Sequence, residues 1–90
     1  MVVERLHRAP DALFRIVGDD LYLTGPQRPT FDVLTGSATA IWRALGDTPT
    51  LEELVEALAH AHGTRASAIE GEVGTFVDDL RDRGWVVVGQ

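Results

Sequence analysis

The chain has 90 residues, 44% hydrophobic and 24% charged, with 14 acidic residues against 8 arginines, no lysine and a net charge of −6. That length and composition predict one globular domain over residues 1–90, burying roughly 60–65% of its extended-chain surface, and exclude a disordered chain. The charge argues against a general nucleic-acid binder and the absence of cysteine excludes disulfides and thiolate chemistry, while Glu4 and Arg5 stand where a secretory signal needs apolar residues and no stretch reaches membrane-spanning length, so the expected location is cytoplasmic with no membrane partner.

In chain order, Val2, Val3 and Leu6 offer an extended lead-in, and Ala9-Pro10-Asp11 reads as a turn. Leu13 to Val17 and Leu21-Tyr22-Leu23 are β-prone runs joined by Gly18-Asp19-Asp20, a hairpin pattern. A second turn, Thr24 to Pro29, leads to a third strand over Thr30, Phe31, Asp32, Val33 and Leu34, expected at an edge of the sheet. The period then changes from two to about 3.6: Thr35-Gly36-Ser37 offers turn and N-cap chemistry, and Ala38, Ile41, Trp42 and Leu45 recur on one helical face, with Gly46 placed to close the helix as its C′ residue.

Thr50-Leu51-Glu52-Glu53 has the spacing of a capping box and opens a second helix, with Leu51, Leu54, Val55, Leu58 and Ala59 as its apolar stripe and Gly63 as its stop. Ser67-Ala68-Ile69-Glu70 has the same spacing and predicts the start of a third helix, with Ile69, Val73, Val77 and Leu80 facing the core and Gly84 ending it. Trp85 to Val88 is β-prone, a terminal strand or an extended tail. The order defines an α+β fold of winged helix-turn-helix-like topology, a three-stranded antiparallel sheet followed by three helices.

No catalytic, metal or cofactor site is expected. His60 and His62 project about 200° apart on a helix, a poor arrangement for one metal. Ser37 and Ser67 fall at cap positions, the pairs Asp19-Asp20 and Asp78-Asp79 read as turn and solvent-face residues, and the glycines are scattered rather than gathered in a phosphate loop. The second and third helices have the lengths of a helix-turn-helix, but the third carries Glu70, Glu72, Asp78, Asp79 and Asp82 against Arg81 and Arg83, a surface that repels phosphate. What remains is a strand edge beside a helix, which suits capture of an extended peptide as an added strand. The residues by themselves fit better a short edge that pairs with nothing, guarded by Asp32 and Pro29.

Three stretches carry a family resemblance: Leu34-Thr35-Gly36-Ser37-Ala38-Thr39-Ala40-Ile41-Trp42, Thr50-Leu51-Glu52-Glu53-Leu54 and Leu80-Arg81-Asp82-Arg83-Gly84-Trp85-Val86. With the Ala9-Pro10-Asp11 opening, they resemble in order and spacing the PqqD family of peptide-binding modules, the precursor-peptide recognition elements. Thr35 departs from the family's usual asparagine. The resemblance implies a non-enzymatic module that holds the leader segment of a ribosomally made precursor peptide and presents it to a modifying enzyme. In stand-alone members that enzyme is a leader peptidase of a lasso-peptide pathway or a radical SAM enzyme of the quinone-cofactor pathway; the lysine-free, arginine-rich composition tilts toward the former. It also implies that the leader lies on the edge of the third strand, Thr30 to Leu34, against a helical wall of Glu72, Phe76, Asp79 and Arg83. A DNA-binding winged-helix regulator and a structural docking subunit are the alternatives. One tension stands in the pattern: Asp32 shares strand parity with Leu34, so either it points toward the helices or a bulge shifts the register.

Overall fold

The computed structural model describes residues 4–26, 28 and 31–89. Val2, Val3, Pro29 and Thr30, expected in the lead-in and at the edge strand, lie outside the described residues. The elements run β1 (Arg5–Arg8), β2 (Leu13–Val17), β3 (Asp20–Thr24), β4 (Asp32–Thr35), α1 (Ser37–Leu45), α2 (Leu51–Ala61), α3 (Ala66–Asp82) and β5 (Val86–Gly89).

The three-stranded antiparallel sheet followed by three helices is present, in the order β2-β3-β4. Gly18 opens the two-residue β2–β3 loop at a φ of 61°, while Asp19 stays at negative φ, the type II′ pattern that matches strand twist. The register is unbroken: Leu21 faces Leu34, Tyr22 faces Val33 and Leu23 faces Asp32. Leu21 and Leu23 are fully buried, so their cross-strand partners Leu34 and Asp32 lie on the same inner face. The parity tension therefore resolves without a bulge: Asp32 points toward the helices. Among the described residues the edge strand runs Asp32–Thr35, leaving out Phe31 and taking in Thr35, which pairs with Asp20 instead of forming the turn.

The two chain ends pair with each other. β1 and β5 form a separate antiparallel ribbon, Leu6 opposite Val88 and Arg8 opposite Val86, so of the Trp85–Val88 run the residues from Val86 on form a terminal strand, and Leu6 of the lead-in belongs to its partner. The ribbon is tied in by the Leu6 amide donating to Pro49 O at 2.8 Å and the Ala9 amide donating to Trp85 O at 2.8 Å.

Helix ends decide where the packing faces fall. Thr50 forms the full capping box, its hydroxyl accepting from the Glu53 amide at 3.1 Å while the Glu53 carboxylate accepts from the Thr50 amide at 2.9 Å. The backbone hydrogen bond from Thr50 holds the Glu53 carboxyl below its usual pKa, assisted by Arg5 at 3.3 Å. Both α2 and α3 end in Schellman motifs. Thr64 donates to Ala59 O and Gly63 to His60 O after α2; Trp85 donates to Leu80 O and Gly84 to Arg81 O after α3, with Gly63 and Gly84 at φ of 63° and 81°.

Other ends differ from the sequence pattern. Gly36, not Ser37, is the N-cap of α1, and Ser37 is its first helical residue. The Gly36 backbone, at φ 63° and ψ −121°, makes the strand-to-helix corner, and its amide reaches Asp19 O. Gly46 stays right-handed at φ −59°, because the chain turns two residues later through Thr48 at φ 49°. The Ser67–Glu70 capping box does not form. A backbone bond from Ala68 to Arg65 O starts α3 at Ala66, two residues earlier, which places Ser67 inside the helix.

The core gathers both tryptophans, Leu21 and Leu23 of the sheet, Leu45, Leu54 and Leu80 of the helices, and Val86 of β5. Leu51, expected in the stripe of α2, is exposed, because as the first helical residue it overhangs the core. Arg8 covers the end of α1: its guanidinium donates to Trp42 O at 2.7 Å and lies over the Phe14 and Trp42 rings, and burial lowers its pKa against the opposing pull of Asp47.

Two substitutions test this account of α2 and α3 by urea unfolding. Thr50→Ala is expected to lower stability by about 0.5–2 kcal/mol. Gly74→Ala, in the interior of α3 where an added Cβ meets nothing within 4 Å, is expected to raise it by about 0.4–1 kcal/mol. A destabilising Gly74→Ala would show that α3 packs differently there. Because the Glu53 pKa is depressed in the folded state, the contribution of its carboxylate is present above its unfolded pKa and fades as pH falls through the folded one. The stability gap between wild type and Glu53→Gln should therefore close in acid.

Candidate functional site

β4 is the outer strand of its sheet, and among the described residues no other strand pairs with its free edge. Its side chains alternate. Val33, 45% exposed, points to the open face of the sheet, while Asp32 and Leu34 are half-buried on the helix side. Phe31, 64% exposed, precedes the strand and lines a shallow hollow with Tyr22 and Thr24. Phe31 and Val33 thus present backbone to the edge but turn their side chains away from the helices.

The side-chain bonds that join β4 to α3 and its C-terminal turn converge on Asp32. One carboxylate oxygen accepts from the indole N–H of Trp85 at 2.6 Å, and the other lies 3.7 Å from the Arg83 guanidinium. Trp85 is 2% exposed, so without Asp32 its N–H would be a buried donor with no acceptor. Arg83 donates to Asp79 one helical turn back at 3.2 Å, so Asp32, Arg83 and Asp79 form a continuous charge ladder at one end of the cleft.

Arg28 holds the same corner from the other side. Its guanidinium stacks on the Trp85 ring at 3.7 Å, donates to the carbonyls of Arg83 and Gly84 at 3.0 and 2.8 Å, and pairs with Asp11 at 3.3 Å. It thereby covers the orphan carbonyls at the end of α3, where a cation is also favoured by the helix dipole.

At the other end, α1, α2 and α3 enclose an apolar pocket of about 70 Å³ lined by Ala40 and Ile41, Leu58, and Ile69, Val73 and Phe76, with Ser37, His62 and Glu72 also on its wall. Ser37 follows β4 by a single residue, so the pocket lies just beyond the strand's C-terminal end. Glu72 and Phe76 also line a second hollow with Gly71, Thr75 and Asp79, which continues along α3.

The expected helical wall of Glu72, Phe76, Asp79 and Arg83 is thus one face of α3, and its two ends are distinct: Glu72 and Phe76 at the apolar pocket, Asp79 and Arg83 at the Asp32 corner. Phe76 is half-buried, packing on the core while contributing to both hollows, so the alternatives of core or cleft are not exclusive. Thr30 lies outside the described residues. Two residues of this corner were absent from the sequence-based site. Trp85 reads simply as core, yet the inward parity of Asp32 was a signal that a buried donor awaited it. Arg28 sits in a turn and carries no sequence signal.

Comparison with known proteins agrees with this architecture. The family model of coenzyme PQQ synthesis protein D (PqqD) matches residues 23–86, and the chain belongs to the PqqD family. No curated protein matches by sequence. Among solved structures, that of TbiB1 in complex with the TbiA(beta) leader peptide is similar, with a TM-score of 0.78 at 19% identity over 89% of this chain and 93% of the other. At that identity the likeness is one of fold. No helix among the described residues is long and apolar enough to cross a membrane.

The Trp85–Asp32 bond gives a direct test of the corner. Asp32→Ala leaves the buried indole donor unpaired and is expected to cost about 1–3 kcal/mol in chemical denaturation. Asp32→Asn keeps an acceptor and should recover most of that loss. Equal destabilisation by both would show that charge, not the hydrogen bond, holds the corner.

Proposed function

We propose that this protein is a non-catalytic leader-binding module, which takes the leader segment of a ribosomally made precursor as an added antiparallel strand on β4 and presents it to a modifying enzyme. The observation that carries the reading is the free edge of β4 flanked by a helical wall with an apolar pocket. Membership of the PqqD family and the likeness to TbiB1, whose structure contains a leader peptide, support it.

Magnitudes assign a role to each wall. β4 is four residues long, and about four backbone hydrogen bonds at ~0.5–1.5 kcal/mol net give roughly 2–6 kcal/mol. Micromolar affinity needs about 8 kcal/mol. The remainder must come from side chains entering the cleft, where Leu34 and Phe76 supply apolar surface and the pocket takes the end of an aliphatic side chain. On the Thr30–Leu34 edge the backbone of Phe31 and Val33 then sets the strand register, with Asp32 and Leu34 turned inward to line the cleft, while Glu72, Phe76, Asp79 and Arg83 read the side chains that face α3. The enzyme that receives the leader is a leader peptidase or a radical SAM protein, with the lasso-type peptidase favoured by composition. Any modifying enzyme encoded near this gene is the candidate for co-purification.

The test is fluorescence polarisation with the leader of the precursor encoded nearest this gene, titrated with the whole protein, using peptides N-methylated at one position at a time. In an added edge strand only alternate amides face the neighbour, so N-methylation should abolish binding at every second position of one segment and be tolerated between them. A uniform response, or saturable binding unaffected by any N-methyl group, would contradict strand addition. Phe76→Leu, which keeps the core filled, should weaken the same peptide by about tenfold, equivalent to ~1.4 kcal/mol, with an unchanged circular dichroism spectrum. A proline at Asp32 is a poorer probe, because it also removes the acceptor of Trp85.

A further inference from the structure

The charges of the α3 wall are not equivalent. Asp79 and Arg83 are satisfied by each other, and Asp32 by Trp85 and Arg83. Glu72 is exposed, lines both the apolar pocket and the hollow along α3, and makes no ion pair among the described residues. The other polar groups on that pocket's wall are Ser37 and His62.

The layout of the cleft orders these features along a bound strand. The C-terminal end of α3 meets the N-terminal end of β4 through Arg83 and Asp32, and the pocket beside Glu72 lies past the C-terminal end of β4. α3 therefore runs opposite to β4, and a peptide added antiparallel to β4 runs the same way as α3. Its side chains meet Glu72 first, then Phe76, then the Asp79–Arg83 pair. Glu72 and Phe76 are four residues apart, ~6 Å along a helix axis, which matches the ~6.6 Å between residues i and i+2 on one face of a strand.

We infer that Glu72 is a specificity-determining residue that selects leaders carrying a basic side chain two positions before the apolar residue seated at Phe76. The inference rests on the leader-capture reading and deepens it: the pocket takes an aliphatic or aromatic anchor, and the neighbouring carboxylate sets which charge precedes it. A leader with an acidic residue there meets the Glu72 carboxylate with no arginine to offset it, since Arg83 is paired with Asp32 and Asp79 at the far end of the cleft.

The experiment pans a phage-displayed random decapeptide library against the whole protein and against its Glu72→Gln and Glu72→Arg variants, whose exposed position leaves the core untouched. The wild-type pool should be enriched in Lys or Arg two positions before an apolar residue, the Glu72→Gln pool should lose that preference, and the Glu72→Arg pool should turn to Asp or Glu. Synthetic peptides from the wild-type pool should bind about two- to five-fold more tightly than their Lys→Gln analogues, as expected for an exposed ion pair. That advantage should disappear on going from about 0.01 M to about 1 M salt, as the Debye length falls from ~30 to ~3 Å. The same basic preference in all three pools, or apolar preference without charge preference, overturns the role of Glu72 and leaves peptide capture standing. Failure of all three proteins to enrich any sequence overturns both.

Discussion

The hydrogen bond from the Trp85 indole to Asp32, 2.6 Å long, fixes the relation between the edge strand and the last helix. Trp85 is the residue after the Schellman glycine of α3 and the residue before β5, so its ring sits where the helix, the terminal ribbon and the sheet meet. Burying that ring demands an acceptor for its N–H, and an inward carboxylate on β4 supplies it. Arg28 then stacks on the ring's face and caps the helix end, while Arg83 balances the carboxylate. Two stretches far apart in sequence, one carrying Arg28 and Asp32 and the other residues 83–86, are thus held by one aromatic side chain and the charges around it.

The same arrangement explains how a free strand edge is tolerated. β4 is short and carries an inward-pointing charge, two devices that discourage indiscriminate edge-to-edge pairing. An arriving strand gains little from backbone pairing alone and must also fit the cleft against α3. On the proposed reading the edge supplies backbone hydrogen bonds open to any extended peptide, while the helical wall, apolar at Phe76 and charged at both flanks, supplies the remaining affinity and the selection among peptides.

Much of this was legible in the sequence because the relevant signals are local. The period change between Leu34 and Ile41 marked the strand-to-helix corner, the Thr50–Glu53 spacing marked a cap that forms, and the spacing of Glu72, Phe76, Asp79 and Arg83 placed them on one face. What escaped was set by tertiary context. The Ser67–Glu70 spacing has the same form as the Thr50 box, yet a backbone bond at Arg65 starts the helix earlier and leaves that box unused. The pairing of β1 with β5 joins the two ends of the chain, a contact that no local pattern encodes. Asp32 is the instructive case: its parity was visible, but the donor that justifies it lies 53 residues away.

The most direct measurement is an amide-resolved NMR titration of the isotope-labelled protein with the leader of the neighbouring precursor, following chemical shifts and hydrogen exchange together. Capture on the edge predicts new exchange protection at alternate amides of β4 and shift changes along Glu72, Phe76, Asp79 and Arg83. Saturable binding whose shifts avoid β4, with its edge amides exchanging as fast as before, would contradict the account.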